Sequence, residues 1–204
     1  LGRAGYGGNH GGLVVVEAVA RPENGEITVT GIVDEEGIGQ VGHKIRRRST
    51  AHGAAENVRT LLKSLGYSLE NTDLHINFPG GMPVDGPSAG VAMAVAAVSA
   101  LTDTPVDGTM AVTGEITMQG KVKAVGSVPQ TVEAACQAGL LRVLIPKEND
   151  AETLHIAGIE VQGMDEVHQA LSAMLVSTKT AKKLIPSPLP MTEKVAAAAA
   201  EPSA

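Results

Sequence analysis

Phe78-Pro-Gly-Gly-Met-Pro-Val-Asp-Gly-Pro-Ser-Ala-Gly90, followed by the apolar run Val91 to Leu101, is the stretch that decides the fold. Just before it, Asp73 to Phe78 alternates: Leu74, Ile76 and Phe78 face one way, His75 and Asn77 the other, which predicts a strand. The strand runs into a Pro/Gly loop that delivers Ser88 to the start of a helix. Asp85 or Gly86 can cap that helix, and Pro87 falls in its first turn, where a missing N–H costs nothing. The run to Leu101 is apolar on every side, so it reads as a helix buried in the core. It is too short to span a bilayer.

A serine at a helix mouth lies among unpaired backbone N–H groups and the positive end of the helix dipole. Most such serines are simple caps. A cap, however, does not require the three glycines and two prolines found between Pro79 and Gly86. A loop of that kind permits close backbone approach by another group. The surroundings favour a nucleophilic serine whose oxyanion donors are built into the helix start.

Upstream, residues 1–12 are glycine-rich and read as a linker or entry segment, and 13–176 as one domain of mixed α/β (α+β) character. Leu13 to Ala20 and Glu26 to Val33 resemble a strand pair turned at Pro22-Glu-Asn-Gly25. Residues 34–50 read as a loop whose basic cluster, Lys44 to Arg48, suits a solvated face or an inter-subunit contact, ahead of a docking patch for acidic substrate segments. Ala54, Val58, Leu61, Leu62 and Leu65 keep helical spacing, with Gly66 as the stop. Downstream come a strand at 109–112, a hairpin at 114–123 turning on Gln119-Gly120, and a helix at 128–138. A strand at 142–145, a short strand at 159–161 and a helix at 165–175 complete the domain. Residues 177–204, rich in Pro and Ala, lack the composition for a packed core and read as a flexible tail.

Composition narrows the function classes. The 204-residue chain is 43% hydrophobic with one Phe, two Tyr and no Trp, so its core must be aliphatic. A net charge of −6 argues against nucleic acid as the main partner. The single cysteine, Cys136, cannot form an internal disulfide, which fits a reducing cytoplasm. The first residues lack the apolar core of a signal peptide, and no membrane role is expected. No metal-ligand spacing is evident among the six histidines. The chain does not begin with Met, which suggests the C-terminal piece of a longer polypeptide. It carries no phosphate-binding Gly-x-x-x-x-Gly-Lys-Ser/Thr, so no cofactor is expected here, and ATP only if an ATPase module lies elsewhere.

Pro83-Val-Asp-Gly-Pro-Ser-Ala-Gly90, Val112-Thr-Gly-Glu-Ile-Thr117, Gly120-Lys-Val-Lys-Ala-Val-Gly126 and Leu144-Ile-Pro-Lys-Glu-Asn149 occur in that order. Together they resemble the proteolytic domain of Lon-type proteases, over roughly Gly12 to Ala173. Gly42 to Arg48 and Asn77 to Gly81 are most similar to its bacterial Lon-like branch. The resemblance implies a serine–lysine peptidase fold and Ser88 as nucleophile. It also implies a hexameric ring acting on unfolded polypeptide. Asp85 and Gly86 then flank the nucleophile. Thr113 matches a position whose hydroxyl supports the dyad lysine, Glu115 an acidic residue lining the site, and His75 a histidine near it.

The lysine itself is missing. In the family it lies 43 positions beyond the serine, and that position here is Thr131; Ser127 likewise replaces the second glycine of the preceding pair. A buried lysine can accept the serine proton because desolvation lowers its pKa from about 10.4. A threonine hydroxyl cannot. His75, Lys121 and Lys123 are the candidate replacement bases. Three readings follow: an endopeptidase impaired or dependent on a substitute base, a degenerate module that binds or gates polypeptide, and a different hydrolase. The last rests on Gly86-Pro-Ser-Ala-Gly90 satisfying Gly-x-Ser-x-Gly, with His155 or His168 following.

Overall fold

The computed structural model describes residues 2–6, 12–31, 50–80 and 87–176, with side chains described from Leu13 onward and, after the break, from Ala51. Asp85, Gly86, the basic cluster 44–48 and the tail 177–204 lie outside the described residues.

Strands β1 (Gly2–Tyr6), β2 (Gly12–Pro22), β3 (Ile27–Thr30) and β4 (Thr72–Asn77) form one sheet in the order β1-β2-β4-β3. Two features depart from the sequence expectation. The glycine-rich start is not simply a linker, because Gly2–Tyr6 pairs antiparallel with Leu13 to Val16 and Gly12 of β2. Pairing with an apolar strand overrides the weak strand propensity of glycine. Nor are β2 and β3 a hairpin: β4 lies between them, antiparallel to β2 and parallel to β3. The Asp73 carboxylate accepts the N–H groups of Gly25 (2.7 Å) and Glu26 (2.8 Å), so the Asn-Gly turn is tied to β4 instead of closing a two-strand ribbon. Those donors hold the Asp73 carboxyl below its ordinary range, led by the Glu26 amide.

Helix α1 (Thr50–Ser64) and helix α2 (Gly90–Thr102) cover the inner face of this sheet. The alternation in β4 holds: Leu74, Ile76 and Phe78 are buried with Val58, Leu61 and Leu62 of α1 and Val91 to Val98 of α2. Every residue of α2 from Gly90 to Ser99 is buried, as its all-round apolarity requires. With so little aromatic volume, close packing comes from Ala and Val on α2 set against Leu, Ile and Met.

A second sheet, β5 (Met110–Val112), β8 (Arg142–Pro146) and β9 (Glu160–Met164), is wholly parallel in the order β5-β8-β9. Both faces are covered, the usual condition for a parallel sheet. Met110, Val112, Leu144 and Met164 join the α2 core. Ala111, Val143 and Ile145 pack against Val128, Val132 and Ala135 of α3 (Val128–Gln137). Between β5 and α3, β6 (Glu115–Ile116) and β7 (Val122–Lys123) make the expected small hairpin. A short helix, α4 (Asp150–Thr153), precedes β9. Helix α5 (Val167–Met174) follows, capped by a reciprocal pair between Glu166 and Gln169.

Candidate functional site

Ser88 sits in a 3-10 turn, Pro87–Ala89, that leads directly into α2. It is fully buried, with 0% of its surface exposed. Its surroundings are fixed by the segment leaving β5. Gly114 donates its N–H to the Ser88 carbonyl at 3.0 Å, and the Thr113 hydroxyl donates to the same oxygen at 3.3 Å. In return the Val91 N–H donates to the Gly114 carbonyl at 3.1 Å. The Thr113 N–H donates to Leu144 O at 3.0 Å, so this clasp is continuous with the parallel sheet. Ser88 therefore lies at the carboxyl end of β5, where open faces of parallel sheets commonly place ligands.

Gly114 is required by space as well as by backbone angle. Its φ is +149°, and a Cβ there would lie 2.8 Å from Val122 Cγ1 and 3.1 Å from Val91 Cγ2. At Gly90 an added Cβ would also be crowded, 3.2 Å from the Ile116 nitrogen. Thr113-Gly-Glu115 thus brings β6 against the start of α2. Glu115 itself, the first residue of β6, is exposed.

Thr131 stands in the first turn of α3 and is 1% exposed. Its N–H and its hydroxyl both donate to the Ser127 carbonyl, each at 3.1 Å. Ser127 adopts a left-handed conformation, φ +58°, at the helix N-cap and makes no side-chain cap. That angle suits the glycine of the resembled pattern better than serine. Strand β1 comes close to both the Ser88 turn and α3.

The proposed substitute bases are all engaged elsewhere. His75 is exposed on the face of β4 opposite the core, its Nε2 2.8 Å from Thr30 Oγ1. The Thr30 hydroxyl donates to Asn77 Oδ1 at 2.9 Å, so Nε2 must carry a proton and donate to Thr30. Lys121 is ion-paired with Glu166, a hydrogen bond that raises its pKa, the wrong direction for a base near neutral pH. Lys123 pairs with Glu148 at 3.2 Å.

The described residues do not favour the hydrolase-elbow alternative. That motif needs a tight turn straight out of a buried strand, whereas β4 ends at Asn77, well before Ser88. His168 is exposed and bonded to Glu166 at 2.8 Å, and His155 is exposed at the surface. Among the described residues no group of three or more His, Cys, Asp or Glu could hold a metal ion. No helix among them is long and apolar enough to cross a membrane.

Comparison with known proteins agrees with the ordered motifs. Residues 4–178 match the family described as the Lon protease (S16) C-terminal proteolytic domain. The chain is 44% identical over 185 residues to Lon protease 2 of Bacillus subtilis, covering 89% of this chain and 34% of that protein. It is 38% identical over 178 residues to Lon protease 1 of Thermus thermophilus, covering 83% of this chain and 21% of that one. The Lon protease of Dictyoglomus thermophilum is 42% identical over 143 residues, 68% of this chain and 17% of that protein. The chain thus spans about a third or less of the relatives it matches.

Proposed function

The chain belongs to the Lon protease (S16) C-terminal proteolytic domain family, and from that premise we propose that it is a serine endopeptidase domain whose hydrolytic step is impaired. In this reading Ser88 is the nucleophile, the start of α2 supplies oxyanion donors, and Thr113 with Gly114 fixes the Ser88 backbone. The substrate is unfolded polypeptide, and the working form is a hexameric ring in the cytoplasm. Any use of ATP belongs to sequence outside this chain.

The observation that carries the impairment is Thr131. Its hydroxyl is spent on Ser127 O and cannot accept a proton near neutral pH. The ion pair of Lys121 with Glu166, and the exposed position of His75 on the face of β4 opposite the core while Ser88 is buried, disfavour both as replacements. Loss of the base from a serine nucleophile costs on the order of 10⁴ to 10⁶ in turnover.

A labelled unfolded protein and a serine-directed covalent probe test this reading together. We expect cleavage near background and at most slow modification, confined to Ser88. Robust cleavage that persists in Ser88→Ala would overturn it. Burial of both Ser88 and Thr131 favours a second reading, a degenerate module that binds or gates polypeptide. That reading requires saturable binding of unfolded chain, undiminished by Ser88→Ala and without products.

A further inference from the structure

Asn149 follows β8 in a 3-10 turn, Lys147–Asn149, and is 3% exposed. Its side chain does not serve its own turn. Oδ1 accepts the Val125 N–H at 3.2 Å, and Nδ2 donates to the Val125 carbonyl at 3.1 Å. The second Nδ2 hydrogen goes to Glu152 Oε1 at 2.6 Å, on α4. The amide thus grips both backbone groups of one residue, as a neighbouring strand would, and its own orientation is set by Glu152. Residue 125 is not in any strand; without Asn149 its N–H and C=O would need other partners.

The location of the grip matters. Only Gly126 and Ser127 separate Val125 from the first residue of α3. Gly126 has no side chain to anchor, and Ser127 is held in a left-handed conformation without a side-chain cap. Packing of Val128, Val132 and Ala135 on Val143 and Ile145 sets how deep α3 lies. Apolar packing is non-directional, however, and resists sliding along the helix axis poorly. A bidentate hydrogen bond is directional and supplies that constraint.

We propose that Asn149 is a positioning residue that fixes the axial register of α3, and so the placement of side chain 131 relative to Ser88. This rests on the reading of position 131 as the place of the general base. Asn149 touches neither substrate nor reacting atoms; it acts through Val125 and the helix that follows.

Two measurements separate this claim from the reading beneath it. Amide hydrogen exchange on the unaltered chain, Asn149→Ala and Asn149→Asp comes first. In Asn149→Ala, exchange at Val125 to Thr131 should rise by tenfold or more, while the amides of α2 and α5 keep their rates. Asn149→Asp keeps an acceptor for Val125 N–H but loses both donors and sets a carboxylate against Glu152. Its exchange defect should therefore recede as pH falls and one carboxyl is protonated. An increase spread evenly through the core, or none near Val125, overturns the proposal.

The second measurement places Asn149→Ala on a Thr131→Lys background and follows cleavage of unfolded protein. The expected result is a kcat lowered tenfold or more with KM little changed. Equal kcat with and without Asn149 overturns the positioning role. A Thr131→Lys variant that is folded yet silent overturns the base reading instead, and Asn149 then loses its catalytic consequence, whatever the exchange data show.

Discussion

The two halves of the candidate site have fared differently. Around Ser88 every neighbour fits its neighbour: a Cβ would collide at Gly114 and be crowded at Gly90, and three hydrogen bonds tie the Ser88 turn and the start of α2 to the strand exit. Around Thr131 the chain tolerates a strained Ser127 and a hydroxyl turned back on its own helix. The first half is bound into the main core, so change there is penalised by stability itself. The second half lies on α3, whose apolar contribution to the core comes from Val128, Val132 and Ala135 and not from residue 131. On the proposed reading, a base at that position is lost without loss of the fold. The serine's surroundings cannot change so cheaply.

Gly114→Ala should sharpen this contrast most. Steric conflict with Val122 and Val91, added to a positive φ, should cost about 3 kcal/mol in denaturant unfolding. A loss under about 1 kcal/mol would mean that the serine half is looser than its contacts suggest. Thr113→Val keeps shape but removes the hydroxyl donor to Ser88 O; unfolding should show a loss of about 1 kcal/mol, with Gly114 N–H still satisfying that carbonyl. On the other half the sign reverses. Ser127→Gly relieves the left-handed strain and should stabilise by about 0.5–1 kcal/mol, read from the midpoint of the same transition.

The smallest effect concerns the tie between the β6–β7 hairpin and α5. Its hydrogen bond with Lys121 holds the Glu166 carboxyl below the ordinary glutamate range. A depressed carboxylate pKa gives stability that is present above its unfolded value and lost as pH falls through the folded one. The unaltered chain should thus exceed Glu166→Gln slightly at neutral pH, and the two should converge in acid. Gln keeps an acceptor for the cap, which isolates the charge. Both partners are solvent-exposed, so the difference will be modest and salt-sensitive.

Much of this was legible in the sequence, for reasons that differ by element. The β4 alternation and the uniformly apolar α2 report burial directly, and the Gly/Pro-rich approach to Ser88 marks a tight, crowded turn. The order β1-β2-β4-β3 was not legible, because Asn-Gly signals a turn but not which strand pairs beyond it. The Asp73 carboxylate that redirects that turn lies 47 residues from Glu26. A glycine-rich β1 carries no periodicity to read. Ser88 and Thr131 could be singled out by motif and spacing, whereas Asn149 could not be given a role. Asn149 closes one of the ordered motifs, but that motif says nothing of what its side chain does, which comes from a contact 24 residues away.

The most direct test of the account is Thr131→Lys, assayed for cleavage of a labelled unfolded protein beside Thr131→Lys with Ser88→Ala. Thr131 is buried, so a lysine there is desolvated and its pKa drawn down toward the working range. The account predicts cleavage on the order of 10³-fold or more above the unaltered chain, abolished by Ser88→Ala. Strong Ser88-dependent cleavage by the unaltered chain, or a folded Thr131→Lys variant that cleaves nothing, would contradict it.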